Sequence, residues 1–368
     1  MSTICCCDRS ICTTLRVLFF AAVFALPLKA EEQRPAVADG PSDKPHMRAA
    51  VSGTSIGGYI DHELFWNDEK KTFDQHRFIP FIHGEVNDRI HVMAELEFEH
   101  GGLVKGSGDT DGEIKLEFAT LDIAFAESFS YRGGVILSPL GKFNLNHDSP
   151  LNDLTNRPLV AREIVPTTLA EAGMGFFGTV YPGEEAVLGY ELYMVNGFNE
   201  KTKQKIRSGR GSQKADNNDQ KSLVGRLNYS PFLGIDLGGS FHRGAYDDAG
   251  KHNLSIFAAD MSYNRGPFDL KGEFASASIE GAVDDARFGY YAQMGYHFLP
   301  GLLSRFPNSV CTASFRYDHI DLGASEESRS TVGLNFRFEE ETVMKLDYEL
   351  YDQATTKNGL IFSVASYF

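Results

Sequence analysis

The 368-residue chain has a single tryptophan and five cysteines, and four of those (Cys5, Cys6, Cys7 and Cys12) crowd into its start. Beyond them only Cys311 remains, so the body of the chain can close no internal disulfide. No apolar run reaches the roughly 20 residues that a membrane-spanning helix needs. Basic residues are in deficit, 35 against 50 acids for a net charge of −15, which excludes a broad nucleic-acid-binding surface. Catalytic and metal signatures are also missing. Gly53-Thr54-Ser55-Ile56-Gly57 matches a nucleophile-elbow string. That elbow needs a strand before it and a helix after it, whereas here a proline-containing leader precedes and a strand pattern follows. His147-Asp148-Ser149 holds triad residue types, but consecutive side chains cannot converge into a relay. Gly209 to Lys214 lacks phosphate-loop spacing, and no zinc spacing occurs. Asp109-Thr110-Asp111-Gly112 suits a plain turn better than a calcium contact. No catalytic residue, metal or cofactor is expected.

Glycine (36), phenylalanine (28) and tyrosine (15) are what the chain has in quantity. Residues 1–30 have the form of a secretory signal: Arg9 and Arg16, then the apolar Val17 to Leu28, then small Ala30 before Glu31. Residues 31–53 are polar with three prolines and read as a flexible leader. From Thr54 to the end, runs of about ten residues alternate apolar and polar, a period of two that places the two sets on opposite faces of a strand. Ile90, Val92, Ala94, Leu96 and Phe98 share one face, and His91, Glu95, Glu97 and Glu99 the other. Phe288, Tyr290, Met294 and Tyr296, and likewise Leu334, Phe336, Leu346 and Tyr348, belong to an apolar outer face. The phase slips near Ala119 and Thr120, the mark of a bulge.

Sixteen such runs can be counted, near 54–66, 74–86, 89–100, 112–127, 129–138, 171–181, 186–196, 221–230, 233–243, 252–263, 267–277, 286–298, 309–319, 328–338, 342–351 and 359–368. Gaps after even-numbered runs are mostly tight, such as Asn87-Asp88, whereas gaps after odd-numbered runs are usually longer. An even strand number with short turns at one end and long loops at the other is the pattern of a bacterial outer-membrane β-barrel with both termini periplasmic. A soluble sandwich has no reason to sort loop length by parity. Phe368 closes the last alternating run, in the manner of an outer-membrane insertion signal read by the barrel-assembly machinery, although Ser366 stands where an aromatic is usual.

The stretch Gly133 to Gly178 resembles the family of phosphate-selective porins O and P. The resemblance is carried by Ser138-Pro139-Leu140-Gly141-Lys142-Phe143-Asn144, by Asn156-Arg157-Pro158-Leu159-Val160, by Ile164-Val165-Pro166-Thr167-Thr168 and by the glycine-rich run around Gly173, Gly175 and Gly178. It implies an all-β transmembrane antiparallel barrel of about sixteen strands, a homotrimer in the outer membrane, and a third external loop folded inward. The longest gap, 139–170, is independently the third of the external ones, and its four prolines stiffen it.

The expected organisation is therefore a signal peptide (1–30), a periplasmic leader (31–53) and a porin barrel (54–368) passing small hydrophilic solutes or ions through a passive channel. Lys142, Asp148, Asp153, Arg157, Arg162 and Glu163 are the candidate constriction residues. Arg77, Glu95, Glu97, Lys115, Arg226, Lys271, Arg316, Arg337, Lys345 and Asp347 are the candidate lining. Counting inward faces gives seven bases and thirteen acids, which argues for weak cation preference or little selectivity. The resemblance argues for phosphate or other anions instead. Lipid and lipopolysaccharide are the expected surroundings. The alternative is a receptor or adhesion barrel acting through its loops. Its candidate is the gap 197–220 with Lys201, Lys203, Lys205, Arg207, Arg210 and Lys214, for which a solvated loop is the plainer reading. A barrel enzyme is less favoured, since those are usually narrower and show a catalytic rim.

Overall fold

The computed structural model describes residues 53–368 apart from 68–69, 102–111, 211–212, 214 and 353–357. The signal-like segment, the leader up to residue 52, Asp109 to Asp111 and Lys214 lie outside the described residues. Sixteen strands follow one another: β1 (Thr54–Trp66), β2 (Lys71–Asn87), β3 (Ile90–Glu99), β4 (Glu113–Ala126), β5 (Phe129–Leu137), β6 (Ala170–Val180), β7 (Val187–Val195), β8 (Ser222–Ser230), β9 (Ile235–Ala245), β10 (Asn253–Arg265), β11 (Phe268–Ile279), β12 (Ala286–Phe298), β13 (Val310–Asp321), β14 (Glu326–Glu339), β15 (Thr342–Tyr351) and β16 (Gly359–Tyr367). Each pairs antiparallel with its neighbours in sequence, and β1 pairs with β16 from Tyr59↔Tyr367 to Trp66↔Leu360, so the barrel is closed. Closure leaves no strand edge unpaired, the condition for a sheet to sit in a lipid bilayer.

Local chemistry sets the turns. In the β2–β3 hairpin the Asn87 side chain accepts from the backbone N–H of Arg89 and Ile90, at 2.9 and 3.0 Å, which fixes the tight reversal. The β4 bulge falls at Glu117, slightly earlier than the sequence pattern places it. Glu117 and Phe118 are both buried inward, while Glu95 pairs with Phe118 and Leu96 with Leu116. Several strands outrun their apolar pattern: β2 begins at Lys71 and β14 at Glu326. The start of β14 is polar on both faces and that of β2 carries only Phe73 as an apolar residue, so the backbone ladder rather than the pattern reveals them.

The two faces of the wall differ in kind. Phe288, Tyr290, Met294, Tyr296, Leu334, Leu346 and Tyr348 are exposed on the outside, and Phe336 is half-buried against Phe338 with ring centroids 4.8 Å apart. At the end that holds both termini, Phe368 stacks on Phe78 at 5.8 Å and its N–H donates to Gly58 O. The inside is polar and charged, yet packed: Arg316, Arg329 and Lys345 are each 1% exposed. They are buried by the long connection between β5 and β6. It runs inside the barrel with two short helical turns, Lys142–Leu145 and Leu159–Glu163, and seats Leu140, Leu159, Val160, Ile164, Val165 and Leu169 in an apolar cluster with Ile256, Ala275, Ile279 and Ile320 of the wall.

Candidate functional site

The β5–β6 loop is held in the lumen by a series of polar tethers, each pairing a loop group with a wall side chain. Lys142 Nζ donates to Ser262 Oγ at 2.9 Å and lies 3.4 Å from Asp236. The backbone N–H of Phe143 donates to Glu273 at 2.9 Å. Gly141 just before it has φ +70, and a Cβ there would stand 2.5 Å from Glu273 Oε1, so only glycine fits. Asp148 accepts from the Tyr367 hydroxyl at 2.9 Å. Ser149 donates to Asp61 and its carbonyl accepts from Lys345, both at 2.6 Å. Arg337 donates to Pro150 O at 2.9 Å. Asp153 faces Lys271 at 3.7 Å and Arg337 at 3.8 Å. Asp347 accepts from Thr155 N–H at 2.6 Å. Arg316 donates to Asn156 O and Arg329 to Arg157 O, at 2.8 and 2.7 Å. Asp318 accepts from Leu159 N–H at 3.0 Å while also holding Arg316 and Arg329.

All ten of the candidate lining residues stand on the inner wall. Besides those just named, Arg77 bridges Glu97 at 3.2 Å and Glu99 at 3.3 Å, Lys115 pairs with Glu97, and Arg226 grips Asp260 with two bonds of 2.7 and 2.8 Å. Glu95 is buried opposite Phe81. The inward tally of seven bases and thirteen acids was incomplete. Arg132, Arg287, Arg329, Asp61, Glu63, Asp122 and Glu171 also point inward and are buried. Glycine-rich β5 and β6 blur the apolar alternation that would have flagged some of them. The larger error lies in summing them, because most of these charges are spent on one another or on the loop rather than facing open water.

The connection between β7 and β8 is solvated only on its lysine side, where Lys201, Lys203 and Lys205 are exposed. Phe198, Thr202 and Ile206 are buried, and Ile206 joins the same apolar cluster as the β5–β6 loop. Those apolar residues inside a polar segment were the available signal. Lys205 of this loop pairs with Glu163 at 3.1 Å, and Arg162 pairs with Glu163 at 2.9 Å. Two adjacent carbonyls then gather three guanidiniums. Thr167 O accepts from Arg157 at 2.6 Å and from Arg207 at 2.7 Å, and Thr168 O accepts from Arg210 at 3.0 Å. Burial, together with Arg77, holds Arg157 down to about 10. Burial and Arg210 do the same to Arg207, also to about 10, and burial and Arg157 lower Arg210. All three remain charged at neutral pH, and their mutual repulsion is what a bound anion would relieve.

A closed sixteen-stranded antiparallel barrel with a polar interior and an inward loop is the porin architecture. Solved structures agree. The chain aligns over 86% of its length with an anion-selective porin of Comamonas acidovorans, covering all of that chain, with TM-score 0.59 and 12% identity. It aligns over 87% with the trimer form of OmpT of Vibrio cholerae, again covering all of it, with TM-score 0.54 and 12% identity. The outer membrane channel DcaP of Acinetobacter baumannii matches over 86% of this chain and all of its own, with TM-score 0.53 and 11% identity. At such identities the likeness is one of fold. No family model matches the chain. An uncharacterized protein of Aquifex aeolicus is 26% identical over 356 residues, covering 85% of this chain and 79% of that one.

Proposed function

We propose that the protein is an outer-membrane diffusion channel for small hydrophilic solutes, preferring anions, with phosphate among the candidates the Gly133–Gly178 resemblance suggests. The observation that carries the anion preference is the meeting of Arg157, Arg207 and Arg210 at the Thr167 and Thr168 carbonyls. Glu97, Glu99 and Glu163 are close enough to offset part of that charge, but burial and the neighbouring arginines outweigh them. A guanidinium also suits an oxyanion, because its N–H groups match the oxygen geometry. The reading assigns the chain no catalysis. It places the chain in the outer membrane among lipid and lipopolysaccharide, inserted through β16 by the assembly machinery. A homotrimer is part of the same reading, in keeping with the trimer form of OmpT.

Reconstitution in a planar bilayer tests it. Discrete conductance steps are expected, with a reversal potential on the chloride side in a KCl gradient and a lower current on adding phosphate. Folded protein without conductance would refute the channel, and a potassium-side reversal would refute the anion preference.

A further inference from the structure

One cluster of ligating side chains lies outside the loop-bound part of the lumen. It sits on the β2–β3 hairpin at the end of the barrel where β1 begins and β16 ends. Glu85 pairs directly with His91, and His83 is the next inward residue of β2, paired with Met93. All three point inward and are half-buried. Their ligating atoms lie within 4.8 Å of one another. The two imidazole rings are nearly parallel, 14° apart with centroids 5.6 Å from each other. His83 and His91 border a cavity of about 340 Å³, shared with Met93, Asp122, Ala124, Ser130 and Phe177. The Nδ1 atom of His83 is buried with no hydrogen-bond partner. A buried polar atom without a partner is unfavourable, and a ligand can satisfy it.

We propose that His83, Glu85 and His91 form a binding site for a divalent transition-metal ion of the Zn²⁺ type at this mouth of the lumen. Imidazole selects zinc, nickel or copper over magnesium and calcium, which prefer oxygen. Two imidazoles and a carboxylate leave a fourth position open to the cavity, the arrangement of exchangeable zinc sites. Asp122, also on the cavity wall, does not enlarge the set, because Arg132 holds it with two bonds of 2.9 and 2.7 Å. Bonds of about 2.0–2.1 Å in a tetrahedron bring ligand atoms to roughly 3.3 Å of one another. Rotation of three half-exposed side chains on paired strands supplies that closing. A second cluster, Asp61, Glu63 and His76, is different in kind. There Asp61 already accepts from Ser149 and Ser363, and Glu63 Oε1 is bonded to His76, which leaves only Glu63 Oε2 without a partner. A bound ion at the hairpin would add two positive charges beside the pathway and narrow it.

The test is zinc stoichiometry of the whole folded barrel in detergent micelles, measured by equilibrium dialysis and elemental analysis. The parent should bind one more Zn²⁺ per chain than the His83→Ala/His91→Ala variant. Losing an outer-shell partner weakens a zinc site by about 10–100-fold, so losing the Glu85 ligand in Glu85→Gln should weaken this one at least as much. His297→Ala, elsewhere in the lumen, should leave the stoichiometry unchanged, and calcium should not compete. Equal zinc content in the parent and the double variant would overturn the site, as would unweakened binding in Glu85→Gln. The result does not depend on the channel reading: a barrel that binds this zinc without conducting refutes only the function. In bilayers, Zn²⁺ should lower the current of the parent and not that of the double variant.

Discussion

The β5–β6 and β7–β8 loops both fold into the barrel, but they are secured to different degrees. The first buries six apolar residues, Leu140, Leu159, Val160, Ile164, Val165 and Leu169, and is also bonded along its length to acids and bases of many strands. The second buries two, Phe198 and Ile206, and its Lys205, Arg207 and Arg210 bond to the β5–β6 loop. A buried ion pair gains little over an apolar contact, yet breaking it by removing one partner is costly. The first loop is therefore specified residue by residue against the wall, whereas the second is held largely through the first.

The largest effect should come from deleting part of the β5–β6 loop: conductance in bilayers should rise severalfold in a barrel that still assembles. The same cut in the β7–β8 loop should change it less. Next is Asp318→Ala, which leaves Arg316, Arg329 and Leu159 N–H without their acceptor. It should cost about 3–5 kcal/mol, read as a lower denaturation midpoint of the micellar barrel. Ile206→Ala should cost about 2–5 kcal/mol of packing at the other anchor, read as protease cleavage within 196–221 while the barrel stays resistant.

Acid should separate the two loops. Burial opposes the charge of Asp153, but Lys271, Arg337, His297 and Lys345 outweigh it and hold its carboxyl below the usual range. The stability this contributes is complete above the unfolded value of about 3.9 and is lost as pH falls through the lower folded value. Titration below about pH 4 should thus loosen the β5–β6 loop first, seen as hydrogen exchange rising there before it rises in 196–221. The smallest effect is expected from Arg207→Ala with Arg210→Ala, which should move the reversal potential toward zero without altering the denaturation midpoint.

Much of the barrel was legible in advance for a simple reason. A strand with lipid on one side and polar groups on the other must alternate, so Ile90–Phe98 and Leu346–Tyr348 announced their faces, and loop length sorted the two ends. The hairpin histidines were not legible as a cluster. Residues 83, 85 and 91 meet only once the Asn87 turn sets which residue of β3 stands opposite Glu85. The inward side of the β7–β8 loop is hidden in the sequence by its six basic residues, which mask Phe198 and Ile206.

The sequence by itself determined the period of two, the number of strands and the position of the long loop, because these follow from neighbours along the chain and from the two solvents a membrane strand meets. The tertiary structure alone decided which charges are occupied. Asp318 with Leu159, Asp347 with Thr155 and Lys345 with Ser149 are pairs between residues more than 150 positions apart. The energy of a charge depends on the partner within a few ångströms, and no periodicity along the chain records that distance.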